Sequence, residues 1–198
     1  EQVGRSSLGK VFAQREERNE LDSAITQTVE AYTSLSRSKT GALMVFERKN
    51  MLEDAIKTGT ALDCSVNAEL LKNIFWNKAP LHDGAVIVRG GRIVGAGCML
   101  PMSGNVNLSR ELGMRHRAGI GASEHTDAVV AIVSEETGSI SVAVGGMLKR
   151  HLAPETLERL LRNELMPEKE QTETPARSKL LNLIRVGKGE KQNDEKTH

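Results

Sequence analysis

The chain has 198 residues, of which 38% are apolar and 3% aromatic, with a formal net charge of +1. That length suits one domain whose core rests on Val, Ile, Leu, Ala and Met. The near-zero charge excludes a global field for nucleic acid, so any anion binding must come from a local cluster.

Residues 1–19 are polar and rich in Gly, Ser and Arg, and read as a leader or linker. From Leu21 the apolar residues recur at Ile25, Val29, Tyr32 and Leu35, which is a helical spacing. Lys39–Gly41 breaks it, and "ALMVF" (42–46) follows as a short buried strand. Residues 47–65 look irregular. Asn67 is placed to cap a helix reaching about Trp76, with Leu70, Leu71 and Ile74 inward. In "GAVIVRGGRIVGAG" (84–97), two β-branched runs flank Gly90–Gly91, a two-residue hairpin turn. Residues 109–118 read as a helix with Glu111 in its first turn. "AVVAIV" (128–133) is a buried strand, "SISVAV" (139–144) alternates, and Gly145–Gly146 signals a second hairpin. Pro154 opens a last helix with Leu157, Leu160, Leu161 and Leu165 on its face. Residues 167–198 turn polar and mixed in charge, which predicts a disordered tail. Within it, "SKLLNLIRVGKG" (178–189) reads as floppy chain before it reads as an amphipathic segment. The order predicts one α/β domain over 20–166, with a central mixed β-sheet flanked by helices.

Cys64 and Cys98 match no metal or disulfide spacing, and Cys98 reads as a buried free thiol in a reducing compartment. No run of about 18 apolar residues marks a membrane span. There is no signal peptide either. The chain opens on Glu1, which leaves a membrane segment outside it open.

Four stretches can carry chemistry. "PLHDGAVIV" (80–88) puts Asp83 and His82 at a strand end before Gly84, although Asp before Gly is also an ordinary turn. "GMRHRAGIG" (113–121) sets Arg115, His116 and Arg117 in a row. Guanidinium pairs suit phosphate oxygens. On a regular helix those three side chains stand about 100° apart, so one ligand cannot meet all of them. Read alone, a solvated basic face explains the triplet better. "VSEETG" (133–138) offers Ser134, Glu135 and Glu136 after a strand, as hard oxygen ligands for a cation or as a polar turn. "GCMLPMSGN" (97–105) ends a strand at Pro101 and can wall a flat pocket. Together these stretches supply the carboxylates, arginines and open backbone that nucleotidyl transfer needs.

These motifs resemble the diadenylate cyclase (DAC) family. "LHDGAVIV" (81–88), "GMRHRAGIG" and "VSEETG" carry the resemblance, joined by "GALMVFER" (41–48) and "CMLPMS" (98–103), over roughly residues 20–165. The flanks are similar to the membrane-anchored CdaA (DacA) branch, which implies a native protein at the cell membrane with this domain on the cytoplasmic side. The resemblance implies a homodimer that makes cyclic di-AMP from two ATP, with a divalent metal (Mn²⁺, Mg²⁺ or Co²⁺). It implies Asp83 as the key acid and metal ligand, with His82 and Glu136 as further metal candidates. Gly84 and Ala85 would admit the nucleotide, and Met99, Leu100 and Pro101 would line its base pocket. Arg115, His116 and Arg117 would order the triphosphate, with Ser134 and Glu136 at phosphate or metal and Glu135 beside them. A YbbR-domain regulator and phosphoglucosamine mutase are the partners the branch implies, and nucleic acid is not among them. Two positions depart from the family pattern: Met114 stands where threonine is usual, and Gly119 where alanine is. The loss of that hydroxyl keeps open a second reading, a catalytically weak nucleotide-binding or sensor module.

Overall fold

The computed structural model of the protein describes residues 3–109 and 111–167. The tail expected over 167–198 lies outside them from residue 168 on, segment 178–189 included. Seven strands form one sheet in the order β2-β4-β3-β1-β5-β6-β7. The strands are β1 (Ala42–Phe46), β2 (Thr60–Ser65), β3 (Ala85–Arg89), β4 (Arg92–Cys98), β5 (Val129–Val133), β6 (Ile140–Val144) and β7 (Met147–Lys149). β1 and β3 run parallel, and every other neighbouring pair is antiparallel. The sheet is mixed and helix-flanked, as the hairpin signals require. Gly90 (φ 56°) and Gly91 (φ 84°) make the β3–β4 turn, and Arg89 pairs with Arg92 across it.

Side-chain alternation splits each central strand between two cores. Met44, Phe46, Val86, Val88, Val129 and Ala131 face one side, under α1 (Val3–Arg37), α3 (Ala68–Ile74) and α5 (Pro154–Leu165). Leu43, Val45, Ala85, Ile87, Val130 and Ile132 face the other, under α2 (Glu53–Ile56) and α4 (Met114–His125). Burial on both faces explains why these runs are continuously apolar. It also explains why β6, expected to alternate, is buried from Ile140 to Ala143.

Four local expectations are corrected. The stretch read as a leader is helical from Val3, continuous with the amphipathic part of α1. Residues 47–65 hold α2 and β2; β2 is an edge strand that turns only Leu62 and Cys64 inward, both partly buried, too short an apolar pattern to mark a strand. Asn67 caps α3 through Oδ1, which accepts from Glu69 and Leu70 N–H, but Leu70 is exposed while Leu71 and Ile74 are buried. At 100° per residue the buried arc centres on Leu71, and Leu70 falls past its edge. Finally, α4 starts at Met114 and runs to His125, so Glu111 lies in the loop before it. Arg117 keeps that loop out of the helix: its Nε donates to Leu112 O (3.3 Å) and its Nη2 to Ser109 O (3.5 Å).

Candidate active site at one end of the sheet

The register gathers the sequence motifs at one rim. β5 ends at Val133 opposite Ala42, where β1 starts. β4 ends at Cys98 opposite Ala85, where β3 starts. Thr40–Gly41, His82–Gly84, Met99–Pro101 and Ser134–Glu136 therefore leave the sheet side by side. Gly84 takes a φ of +110°, and a Cβ there would stand 2.6 Å from the Gly97 carbonyl carbon. Only glycine lets β3 begin this close to β4. Ala85 is fully buried in the α4-side core, so only its backbone faces the rim.

The N-terminus of α4 points at the same rim. Gly113 is its cap residue, and no side chain caps the first turn. Its first free N–H groups, with the helix dipole, form an anion-binding end. Glu136 lies beside it: a Cβ on Gly113 would be 3.9 Å from Glu136 Oε1. Met114, 76% exposed, occupies the first helical position and brings no hydroxyl. Ser134 orders the β5–β6 turn, accepting at Oγ from Thr137 N–H (3.2 Å).

The Arg-His-Arg triplet diverges. Arg115 reaches the rim, where its Nη1 donates to Glu135 Oε2 at 2.6 Å. His116 is buried toward the sheet, with Nε2 3.5 Å from Ser141 Oγ. Burial, followed by the Arg150 charge, lowers its pKa below the ordinary value, so it is held neutral. Arg117 secures the loop before α4. One side chain of the three faces the rim, one the core and one the entry loop.

Two clefts open at the rim. One, of about 400 Å³, is lined by residues of the Met51–Ala55 segment facing Met99 and Pro101. Leu100 is buried and does not line it. Its far wall comes from residues without a sequence signal. The Glu47 side chain is 1% exposed. It accepts from Leu52 N–H (2.6 Å) and from Arg89 Nε (2.5 Å), while Arg89 also donates to Glu53 (2.8 Å). Thr58 Oγ1 accepts from Met99 N–H (2.8 Å) and ties the two walls together. The second cleft, of about 310 Å³, contains His82, Arg115 and Glu135. His82 Nδ1 lies 2.6 Å from Ala79 O, which leaves Nε2 for any other partner. Asp83 is exposed between the motifs. Among the described residues no three of His, Cys, Asp and Glu gather as a ready-made metal cage. Cys98 is the buried free thiol expected, and burial raises its pKa.

Residues 29–148, which contain this entire rim, match the DAC family, described as DisA bacterial checkpoint controller nucleotide-binding. The chain belongs to the DAC family. The chain is 44% identical over 168 residues to the cyclic di-AMP synthase CdaA of Bacillus subtilis, covering 83% of this chain and 60% of that protein. It is 40% identical over 167 residues to a diadenylate cyclase of Listeria monocytogenes, with coverages of 84% and 60%. The chain thus spans about three fifths of the length of these relatives. Among solved structures, DacA from Staphylococcus aureus superposes with a TM-score of 0.71 at 42% identity, over 73% of this chain and 96% of that one. A hypothetical membrane spanning protein from Bacillus cereus gives 0.62 at 45% identity, over 65% and 63%. Among the described residues, no helix is long and apolar enough to cross a membrane.

Proposed function

We propose that the protein is a diadenylate cyclase, condensing two ATP molecules into cyclic di-AMP with release of two pyrophosphates. The observation that carries the reading is the convergence of Asp83, Arg115, Ser134 and Glu136 on one sheet end beside the Met99–Pro101 cleft, in a DAC-family chain. The base occupies the cleft between the Met51–Ala55 segment and Met99. The triphosphate runs to the α4 N-terminus and Arg115, where fixed donors meet the charge that develops on the phosphates. Asp83 orients and deprotonates the 3′-hydroxyl. That oxygen bonds to the α-phosphorus of the second ATP, the bond from α-phosphorus to the bridging oxygen breaks, and pyrophosphate departs with its electron pair. The same step repeated closes the ring. Two equivalent attacks call for two identical half-sites across a two-fold axis, so the active form is a face-to-face homodimer.

One exposed carboxylate without a preformed cage fits a divalent ion that arrives with the triphosphate. Asp83 would hold Mn²⁺, Mg²⁺ or Co²⁺, with His82 Nε2 and Glu136 as further donors. Once bound, the ion neutralises phosphate charge. A native setting at the cell membrane, with the YbbR-domain and phosphoglucosamine mutase partners, belongs to the same proposal. Met114 favours a second reading, a sensor that binds nucleotide without turnover. Purified protein with ATP and a metal series, assayed by chromatography for cyclic di-AMP, separates the two. Product with any metal supports the cyclase; binding by calorimetry without product supports the sensor.

A further inference from the structure

Arg115 is held in an unusual way. Its guanidinium lies over Gly41, so close that a Cβ there would be 2.7 Å from Nη1. Its Nε is buried with no hydrogen-bond partner, so Glu135 satisfies one point of a five-donor fork. The two partners differ in exposure. The Arg115 side chain is 18% exposed and lies over the Gly41 backbone, while that of Glu135 is 64% exposed. The pair closes one side of the 310 Å³ cleft, whose rim also carries exposed Lys39 and the aromatic Trp76. At roughly 30 Å³ per water molecule, that space holds about ten waters. With Glu135 swung out, its charged lining is Arg115 and Lys39, and its hydroxyl and amide donors are Ser38, Thr40 and Asn77. A diphosphate offers the several oxygens that such a set can bind, and a single carboxylate does not.

We propose that Glu135 is a built-in competitor for the phosphate groups that the cyclase reading brings to Arg115. The carboxylate occupies Arg115 when the cleft is empty and yields it to the terminal phosphates of the nucleotide or to the departing pyrophosphate. Glu135 therefore weakens product retention, which lets pyrophosphate leave. The proposal deepens the cyclase reading and takes the identity of its anion from it.

The test is calorimetric titration with inorganic pyrophosphate in EDTA, without metal, on the wild type, Glu135→Gln, Arg115→Ala and the double variant. Circular dichroism checks the fold of each. Glu135→Gln should bind roughly threefold to tenfold tighter than wild type, the scale set by one partly exposed ion pair plus one nearby charge. In the Arg115→Ala background the same change should bring no gain. Three results overturn the proposal: equal or weaker binding by Glu135→Gln, an undiminished gain without Arg115, or no pyrophosphate binding by any variant. Cyclic di-AMP formation is assayed separately. If it is absent while the affinities behave as stated, the cyclase reading falls and the anion site stands; the reverse outcome separates them equally.

Discussion

Gly41→Ala puts the placement of Arg115 under direct test. The added methyl would meet Arg115 Nη1 at 2.7 Å and Cζ at 2.8 Å, against 3.4 Å for the near edge of ordinary contact. The guanidinium must retreat by about 0.7 Å. The clash falls on the far end of a flexible side chain, and the φ of Gly41 is not among those in the left-handed region. Folding therefore loses little, and the lower entropy of alanine in the unfolded chain offsets part of that by about 0.4–1 kcal/mol. Catalysis loses much more, because a displacement near 1 Å of a group that meets developing charge costs up to about a hundredfold. The expected result is a kcat/KM for cyclic di-AMP formation lower by about 10- to 100-fold, with a melting temperature within a few degrees of wild type. Coupled pyrophosphate release gives the rate and calorimetry the melt. An unchanged kcat/KM would refute the reasoning, since the rim position of Arg115 would then not be its working position.

The other predictions follow from the same contacts. Asp83→Asn should abolish cyclic di-AMP formation yet shift stability by no more than about 0.5 kcal/mol, as for an exposed side chain; a retained rate removes Asp83 from its role. Gly119→Ala places a methyl 2.7 Å from Ile132 Cδ1 and 3.2 Å from Val130 Cγ1. It should cost roughly 1–3 kcal/mol in urea unfolding, less the gain in helix propensity, and Ile132→Val should recover part of the loss. Glu47→Ala leaves Leu52 N–H without its acceptor and should cost about 2–4 kcal/mol, with a raised KM for ATP as the cleft wall loosens. Because burial lowers the His116 pKa, the unfolded chain binds its proton more readily than the folded one. The neutral-His stability is full above the unfolded value of 6.5 and is lost as pH falls below it toward the folded value, so melting temperature should drop from pH 7 to 5, less steeply in His116→Gln.

The strands buried on both faces were legible because nothing polar interrupts them, and the Gly-Gly turns because the chain must take positive φ there. The Asn67 cap was legible for the same local reason. What stayed hidden depends on distant partners. β2 exists because β4 offers it an edge, and the start of α4 is set by Arg117 reaching back to Ser109 and Leu112. The wall of the Met51–Ala55 cleft rests on Glu47, whose only sequence trace is a charged residue directly after an apolar strand. Gly41 reads locally only as part of a helix stop, and Gly121 gives no local signal. Each clears space for a segment far along the chain, Arg115 for the first and the Pro101–Ser103 backbone for the second.

The three basic residues at 115–117 show why a contiguous motif need not be a contiguous contact. A helix turns each successive side chain by about 100°. A triplet at the first turn of α4 therefore addresses three surroundings at once: a rim, a core and a loop. His116 seats the helix on the sheet, Arg117 fixes the chain that enters it, and together they set where Arg115 and the free N–H groups of the first turn stand. Substituting His116 or Arg117 should then move kcat/KM in part by displacing Arg115. Each effect should shrink when combined with Arg115→Ala, where independent phosphate contacts would add.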